Sequence, residues 1–347
     1  MGAMDGGSQA LLTALFGGAS SLQGDFEAMA AMLAGASRVL VTSHESPDGD
    51  AISSTLAVCH VLWAMGKEAV PFNVDPVPHN FTFLPGAARL RRSLDPAESF
   101  DVTVVVDCGE RHRMGASFPA NGWGRQVVVL DHHRTWDAGF PELCVRDPTA
   151  AAVGEMVFRL ALTVGVATSP ELARCCYASL MSDTGSFRYS STSPTTFRIA
   201  SHLLTCGVEP WEMTSNIYEN DPVERIRLLG RVLETLAVSP CGRLAFLRVD
   251  LAMLEGLDNG ADLLDGFINY GRRIRGVEVA TQLREVGPEA WRVSFRSRGA
   301  VNVSELASRF GGGGHHNAAA CVMQGAASEI QRSLTEALDA ILGGAEA

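Results

Sequence analysis

VTSHESPDGDAISST, residues 41–55, sets His44, Asp48 and Asp50 within seven positions around a proline and a glycine. Val39-Leu40-Val41 leads in as a strand-like apolar run. Ala51, Leu56, Val58, Leu62 and Met65 lead out with a helical period that stops at Gly66. Strand, tight turn and helix in that order open a βαβ unit, so this stretch predicts a parallel sheet.

The rest of the first half extends that reading. Ala69–Asn73, Val102–Val106 and Val127–Leu130 are short runs nearly continuous in apolar residues, as strands buried on both faces are. Helical patterns follow at Gly154–Val164, Pro170–Met181 and Pro194–Leu204, after an earlier one near Phe26–Leu33. Beyond Val208 a helical connector leads to strands at Leu244–Val249, Val277–Leu283 and Trp291–Arg296. Helices at Leu263–Arg273, Val303–Phe310 and Ala327–Leu342 accompany them. The fold class is therefore α/β, with a mainly parallel N-terminal domain flanked by helices and a smaller C-terminal α/β domain. The boundaries read as 24–207, 208–238 for a helical linker, and 239–347.

Each first-half strand ends in chemistry. Val39–Thr42 runs into His44, Asp48 and Asp50, Val102–Val106 into Asp107, and Val127–Leu130 into Asp131, His132 and His133. Ligand crevices of open parallel sheets lie at these carboxyl ends. Asp183, in MSDTGSF, adds a fourth acid at the end of a helical run. Carboxylates with a minority of imidazoles suit Mn²⁺ or Mg²⁺ better than structural zinc. Asp48, Asp50, Asp107 and Asp183 carry four negative charges when ionised, which two divalent ions neutralise. Such a pair, roughly 3.5–4 Å apart, activates water for attack on phosphorus without a side-chain nucleophile. A lone DHH tripeptide would be weak evidence, since most such clusters are solvated loops; four elements at successive strand or helix ends are much stronger. His60 reads instead as a packed, partly buried histidine, and His79, His112 and His202 as surface residues.

Composition narrows the partners. The chain has 347 residues, is 46% hydrophobic and has a net charge of -11, enough for two cores but poorly suited to gripping a long polyanion. Its 8 cysteines show no CxxC pair and read as reduced core thiols. The first Arg or Lys is Arg38, so the N-terminal stretch lacks the positive region of a signal peptide. These features lead us to expect a soluble, cytoplasmic protein with no membrane partner, no long nucleic acid partner, and a homodimer as the candidate assembly.

SHESPDGDAISS, VVVDCGE, LDHH, SDTGSFRYSS and FGGGGHHNAAA together resemble the successive motifs of the DHH/DHHA1 phosphoesterase family, most closely its NrnA-like nanoRNase and pAp-phosphatase branch. The resemblance covers nearly everything from Ser37 onward. It implies a DHH domain with the metal site facing a DHHA1 domain across a cleft. It further implies two divalent ions, Mn²⁺ first, with Mg²⁺ or Co²⁺ as alternatives. One would be held by His44, Asp48 and Asp107, the other by Asp50, Asp107, His132 and Asp183. Asp107 would bridge them, His133 would meet the substrate phosphate, and Asp131 would orient its neighbours, making Asp107, His133 and Asp131 the catalytic set. Substrate binding would fall to His133, Arg188, Arg296, Gly312, Gly313, Gly314 and His315.

The residues support part of that second list independently. Glycines lacking Cβ let backbone N–H groups approach a phosphate, and a helix start just beyond them would favour an anion. Arg296 offers a bidentate fork for phosphate. Ser53, Ser191 and Ala320 depart from the usual motif glycine, asparagine and glycine, none at a metal position. The activity implied is hydrolysis of short 5′-phosphorylated oligonucleotides, including pApA, to mononucleotides, and of pAp to AMP. The alternatives are a cyclic-dinucleotide phosphodiesterase acting on c-di-AMP and a non-catalytic nucleotide sensor. A RecJ-like exonuclease is disfavoured by the acidic balance, and an inorganic pyrophosphatase by the glycine-histidine motif.

Overall fold

The computed structural model describes residues 6–17, 21–133, 135–257, 260 and 262–343. It divides into two compact units that meet between Asn220 and Asp221. The first unit opens with helices α1 (Gly6–Phe16) and α2 (Ser21–Gly35) and contains strands β1 (Arg38–Thr42), β2 (Glu68–Phe72), β3 (Val102–Val106), β4 (Gln126–Asp131) and β5 (Leu143–Arg146). These form one parallel sheet in the order β2-β1-β3-β4-β5. The three strands that deliver the acids and imidazoles are thus direct neighbours.

β3, VTVVV, is buried along its whole length, as a central parallel strand must be. Helix α3 (Gly49–Ala64) follows β1 and is buried from Gly49 through Cys59. It packs against α4 (Val153–Thr163) and α5 (Pro170–Asp183). Its polar residues survive burial by bonding backward, Ser54 Oγ to the Asp50 carbonyl and Thr55 Oγ1 to the Ala51 carbonyl, both at 2.7 Å. Ser53 is also fully buried, but its hydroxyl has no partner among the described residues. Helices α6 (Pro194–Thr205) and α7 (Pro210–Tyr218) complete this unit.

The second unit begins with α8 (Val223–Glu234), so the stretch 208–238 carries one helix of each unit. Its strands are β6 (Ala237–Val238), β7 (Leu244–Val249), β8 (Val279–Gly287), β9 (Ala290–Ser297), β10 (Gly313–His315) and β11 (Ala318–Gln324). The sheet order is β10-β11-β9-β8-β7-β6, with β7 and β8 parallel and the other pairs antiparallel. Ile330, Leu334 and Leu338 recur every four residues along the helix Ala327–Gly343 and close this core with Leu244, Val293 and Phe295.

The glycine run departs from expectation. Gly313 and Gly314 lie in a hairpin strand paired with β11, and the next helix starts only at Ala327. No helix N-terminus follows the glycines directly. A Cβ at Gly312 would collide with the Ala320 carbonyl, so close packing on β11 is itself a reason for glycine there.

All eight cysteines are free, and Cys241 is exposed rather than part of a core. Among the described residues, no helix is long and apolar enough to cross a membrane.

Candidate metal centre

The turn after β1 is held by a side chain from beside the neighbouring strand. Asn73, just past β2, donates from Nδ2 to the His44 carbonyl at 2.9 Å and to Ser43 Oγ at 3.0 Å. His44 Nδ1 lies 2.7 Å from the Glu45 carbonyl and so donates to it, leaving Nε2 as a ligand atom. Asp48 N-caps α3 by accepting the Ala51 N–H at 3.0 Å. Gly49 lets this turn approach closely, since a Cβ would collide with the Phe81 ring and the Ser182 hydroxyl.

Asp50 is fully buried in the first turn of α3 and held from both sides. Ser179 Oγ donates to Oδ1 at 2.5 Å, the Val153 N–H donates to Oδ2 at 2.9 Å, and Ser179 Oγ in turn accepts the Gly154 N–H at 2.7 Å. The start of α4 and the middle of α5 therefore fix one carboxylate.

Asp107 follows β3 in the left-handed region, with φ 55°, a conformation that aspartate tolerates better than most residues. It is 2% exposed, and its Oδ1 has no hydrogen-bond partner among the described residues. That atom nevertheless lies 3.5 Å from His132 Nε2 and 3.4 Å from His133 Nδ1, while Oδ2 lies 3.6 Å from His44 Nε2. His132 Nδ1 bonds the Ala150 carbonyl at 3.1 Å, which leaves its Nε2 3.2 Å from Asp183 Oδ2 and 3.8 Å from Asp50 Oδ2. His133 Nδ1 is 2.7 Å from Asp131 Oδ1.

Three ligand groups result: His44, Asp48 and Asp107; Asp50, His132 and Asp183; and Asp107, His132 and His133. Within each, the donor atoms lie within 4.8 Å of one another. Ligands roughly 2.1 Å from a cation stand about 3 Å apart in octahedral geometry, close to these separations. An orphaned buried carboxylate oxygen amid oxygen and imidazole donors fits a divalent ion.

Electrostatics point the same way. Burial, reinforced by the charges of Asp107 and Asp183, pushes Asp50 well above the usual carboxylate range. Asp48 stands exposed at the rim, but its carboxylate is crowded by protein, and that crowding with the Asp107 charge raises it to about 6. For His132, burial disfavours the charged ring, yet Asp107, Asp183 and Asp50 together raise it to about 12. For Asp107, burial is likewise opposed by His132, His44 and His133, which hold it below the usual range. The raised values of His132, Asp48 and Asp50 show that this cage favours added positive charge. A divalent cation would supply that charge.

The comparisons with known proteins agree with this geometry. Residues 38–180 match the DHH family N-terminal domain and residues 247–344 the DHHA1 domain. The bifunctional oligoribonuclease and PAP phosphatase NrnA of Thermus thermophilus is 33% identical over 83% of this chain and 84% of its own length. The chain belongs to the DHH phosphoesterase family.

The cyclic-di-AMP phosphodiesterase GdpP of Geobacillus thermodenitrificans is 27% identical over 90% of this DHH chain but only 48% of its own length. An exopolyphosphatase-related protein from Bacteroides fragilis has a crystal structure that superposes with TM-score 0.82 at 27% identity, covering 91% of this chain and 96% of that one.

The remaining candidate residues of this DHH chain are spread over both units. Arg188 is exposed and donates from Nε to the Gly185 carbonyl at 2.5 Å. Arg296 sits on β9 opposite Ala318 and Ala280, half-buried, with burial lowering its pKa. The backbone of His315 pairs with Ala318, and its side chain lies outside the described residues. His60, read as packed, bonds the Pro85 carbonyl at 2.9 Å.

Sequence reasoning did not single out Ser179, Val153 or Asn73. A serine inside an apolar helix and an amide at a helix start carry no motif, and only the fold brings them to Asp50. Ser179→Ala is expected to weaken Mn²⁺ binding by roughly 10- to 100-fold, since orienting partners of metal ligands typically contribute that much. Calorimetric titration of the parent and variant proteins with Mn²⁺ checks this.

Proposed function

We propose that this chain hydrolyses short 5′-phosphorylated oligonucleotides, including pApA, to mononucleotides, and pAp to AMP, with two divalent ions, Mn²⁺ foremost. The observation that carries the reading is the pair of ligand groups at neighbouring strand ends, with Asp107 standing between them. The activity named for the Thermus relative supports the substrate class.

In this reading His44, Asp48 and Asp107 hold one ion, while Asp50, Asp107, His132 and Asp183 hold the other. When bound, such ions supply an activated water and neutralise phosphate charge. The protein's own residues do the positioning. Asp131 raises the pKa of His133 through their hydrogen bond, which favours the protonated ring that would donate to a phosphate oxygen. Asp131 is fully buried. Arg188, Arg296, Gly312, Gly313, Gly314 and His315 are assigned to binding the nucleotide, with Arg296 as the phosphate clamp.

The similarity to GdpP supports a second reading, a phosphodiesterase acting on c-di-AMP. Initial rates on pAp, pApA, longer oligoribonucleotides, c-di-AMP and pyrophosphate with Mn²⁺ separate the two. The highest kcat/KM is expected for pApA and pAp. A clear preference for c-di-AMP would favour the second reading, and one for pyrophosphate would remove the nucleotide assignment.

A further inference from the structure

Trp136 is 39% exposed, yet its root is fixed beside the acidic cluster. The neighbouring Asp137 N–H donates to the carbonyl of Gly109 at 2.8 Å, and Gly109 lies two residues past Asp107. A Cβ built on Gly109 would meet Asp131 Oδ2 at 2.7 Å and Trp136 Cβ at 3.0 Å. The root of the Trp136 side chain and the Asp131 carboxylate therefore both border Gly109. Asp131 is also the hydrogen-bond partner of His133.

Arg146, the residue opposite Asp131 across β4 and β5, places its guanidinium 5.4 Å from the indole centroid, within cation–π range. The indole N–H groups of Trp63 and Trp291 donate to the carbonyls of Ala69 and Gly325, whereas Trp136, like Trp123 and Trp211, makes no such bond among the described residues; of these three, Trp136 alone is rooted beside Gly109. A Trp used only to fill a core would be buried. Here a large flat surface is backed by a cation, exposed, and rooted in a segment anchored to the backbone just after Asp107.

We propose that Trp136, backed by Arg146, is the stacking platform for a nucleobase of the nucleotide whose phosphate sits at His133. This rests on the phosphoesterase reading and adds a residue that decides which substrates bind well. Stacking is tolerant of base identity but stronger for purines, so Trp136 should favour adenine over uracil at that position.

The test compares pApA with its two singly abasic analogues in the Mn²⁺-loaded parent, Trp136→Ala, Trp136→Leu and Trp136→Phe proteins. In the parent, removing the stacked base is expected to raise KM roughly 5- to 100-fold, the span of base–aromatic stacking. Trp136→Ala should raise KM for pApA by a similar factor, and removing that base should then cost nothing more. Trp136→Phe should restore the parent KM and Trp136→Leu should not, which separates stacking from filling space. Losses that multiply independently, or rescue by leucine equal to that by phenylalanine, would overturn the platform. A parent protein that cleaves neither pApA nor the analogues would overturn the phosphoesterase reading, and the platform with it.

Discussion

Asp107→Ala is expected to abolish hydrolysis, with kcat falling by at least about 10³-fold, because the negative charge on the phosphoryl oxygens would lose both of the ions proposed to neutralise it. The geometry makes this residue different from the others. Its Oδ2 faces His44 at 3.6 Å while its Oδ1 faces His132 at 3.5 Å, so one carboxylate reaches both ligand groups. Asp48 reaches only one of those groups. Metal analysis of the Asp107 variant should show both ions lost, while Asp48→Ala should retain one. Asp107→Asn is the sharper form of the test, since asparagine accepts the φ of 55° and keeps the side-chain size. Near-parent activity with full metal content in either Asp107 variant would refute the two-ion assignment.

Much of this site was legible because its elements have short, local signatures. A run such as VTVVV can only be a doubly buried strand, and the acid following it falls at the end of the sheet where ligands bind. His44, Asp48 and Asp50 were readable from one turn for the same reason. What the sequence could not show depends on contacts between distant residues. The hydrogen bond from Ser179 to Asp50 spans 129 positions and has no local pattern. β5 escaped notice because Leu143–Arg146 is four residues long, only Val145 is fully buried, and its one clear role is pairing with β4. The glycine run was misread in its surroundings: a hairpin against β11 explains Gly312 by packing, which a run of identical residues cannot reveal by itself. Trp136 likewise becomes informative only once Gly109 and Arg146 are seen around it.

The second large effect concerns substrate length. The chain has 39 acidic residues against 28 lysines and arginines, so beyond the few nucleotides held by specific contacts, each added phosphate meets a surface that repels it on average. Nothing in this balance compensates a long strand for the ordering it would undergo on binding. Specific activity should therefore drop by roughly 100-fold or more as 5′-phosphorylated RNA lengthens from two to about ten nucleotides. Removing the 5′-phosphate should lower the rate at every length, because the phosphate clamp proposed for Arg296 would then have nothing to hold. The decisive measurement is the set of initial rates on a 5′-labelled ladder of RNA lengths at fixed Mn²⁺ and salt. A steep decline from the dinucleotide upward is the expected result; a rate that stays level or climbs with length would contradict the short-nucleotide assignment and indicate a processive exonuclease instead.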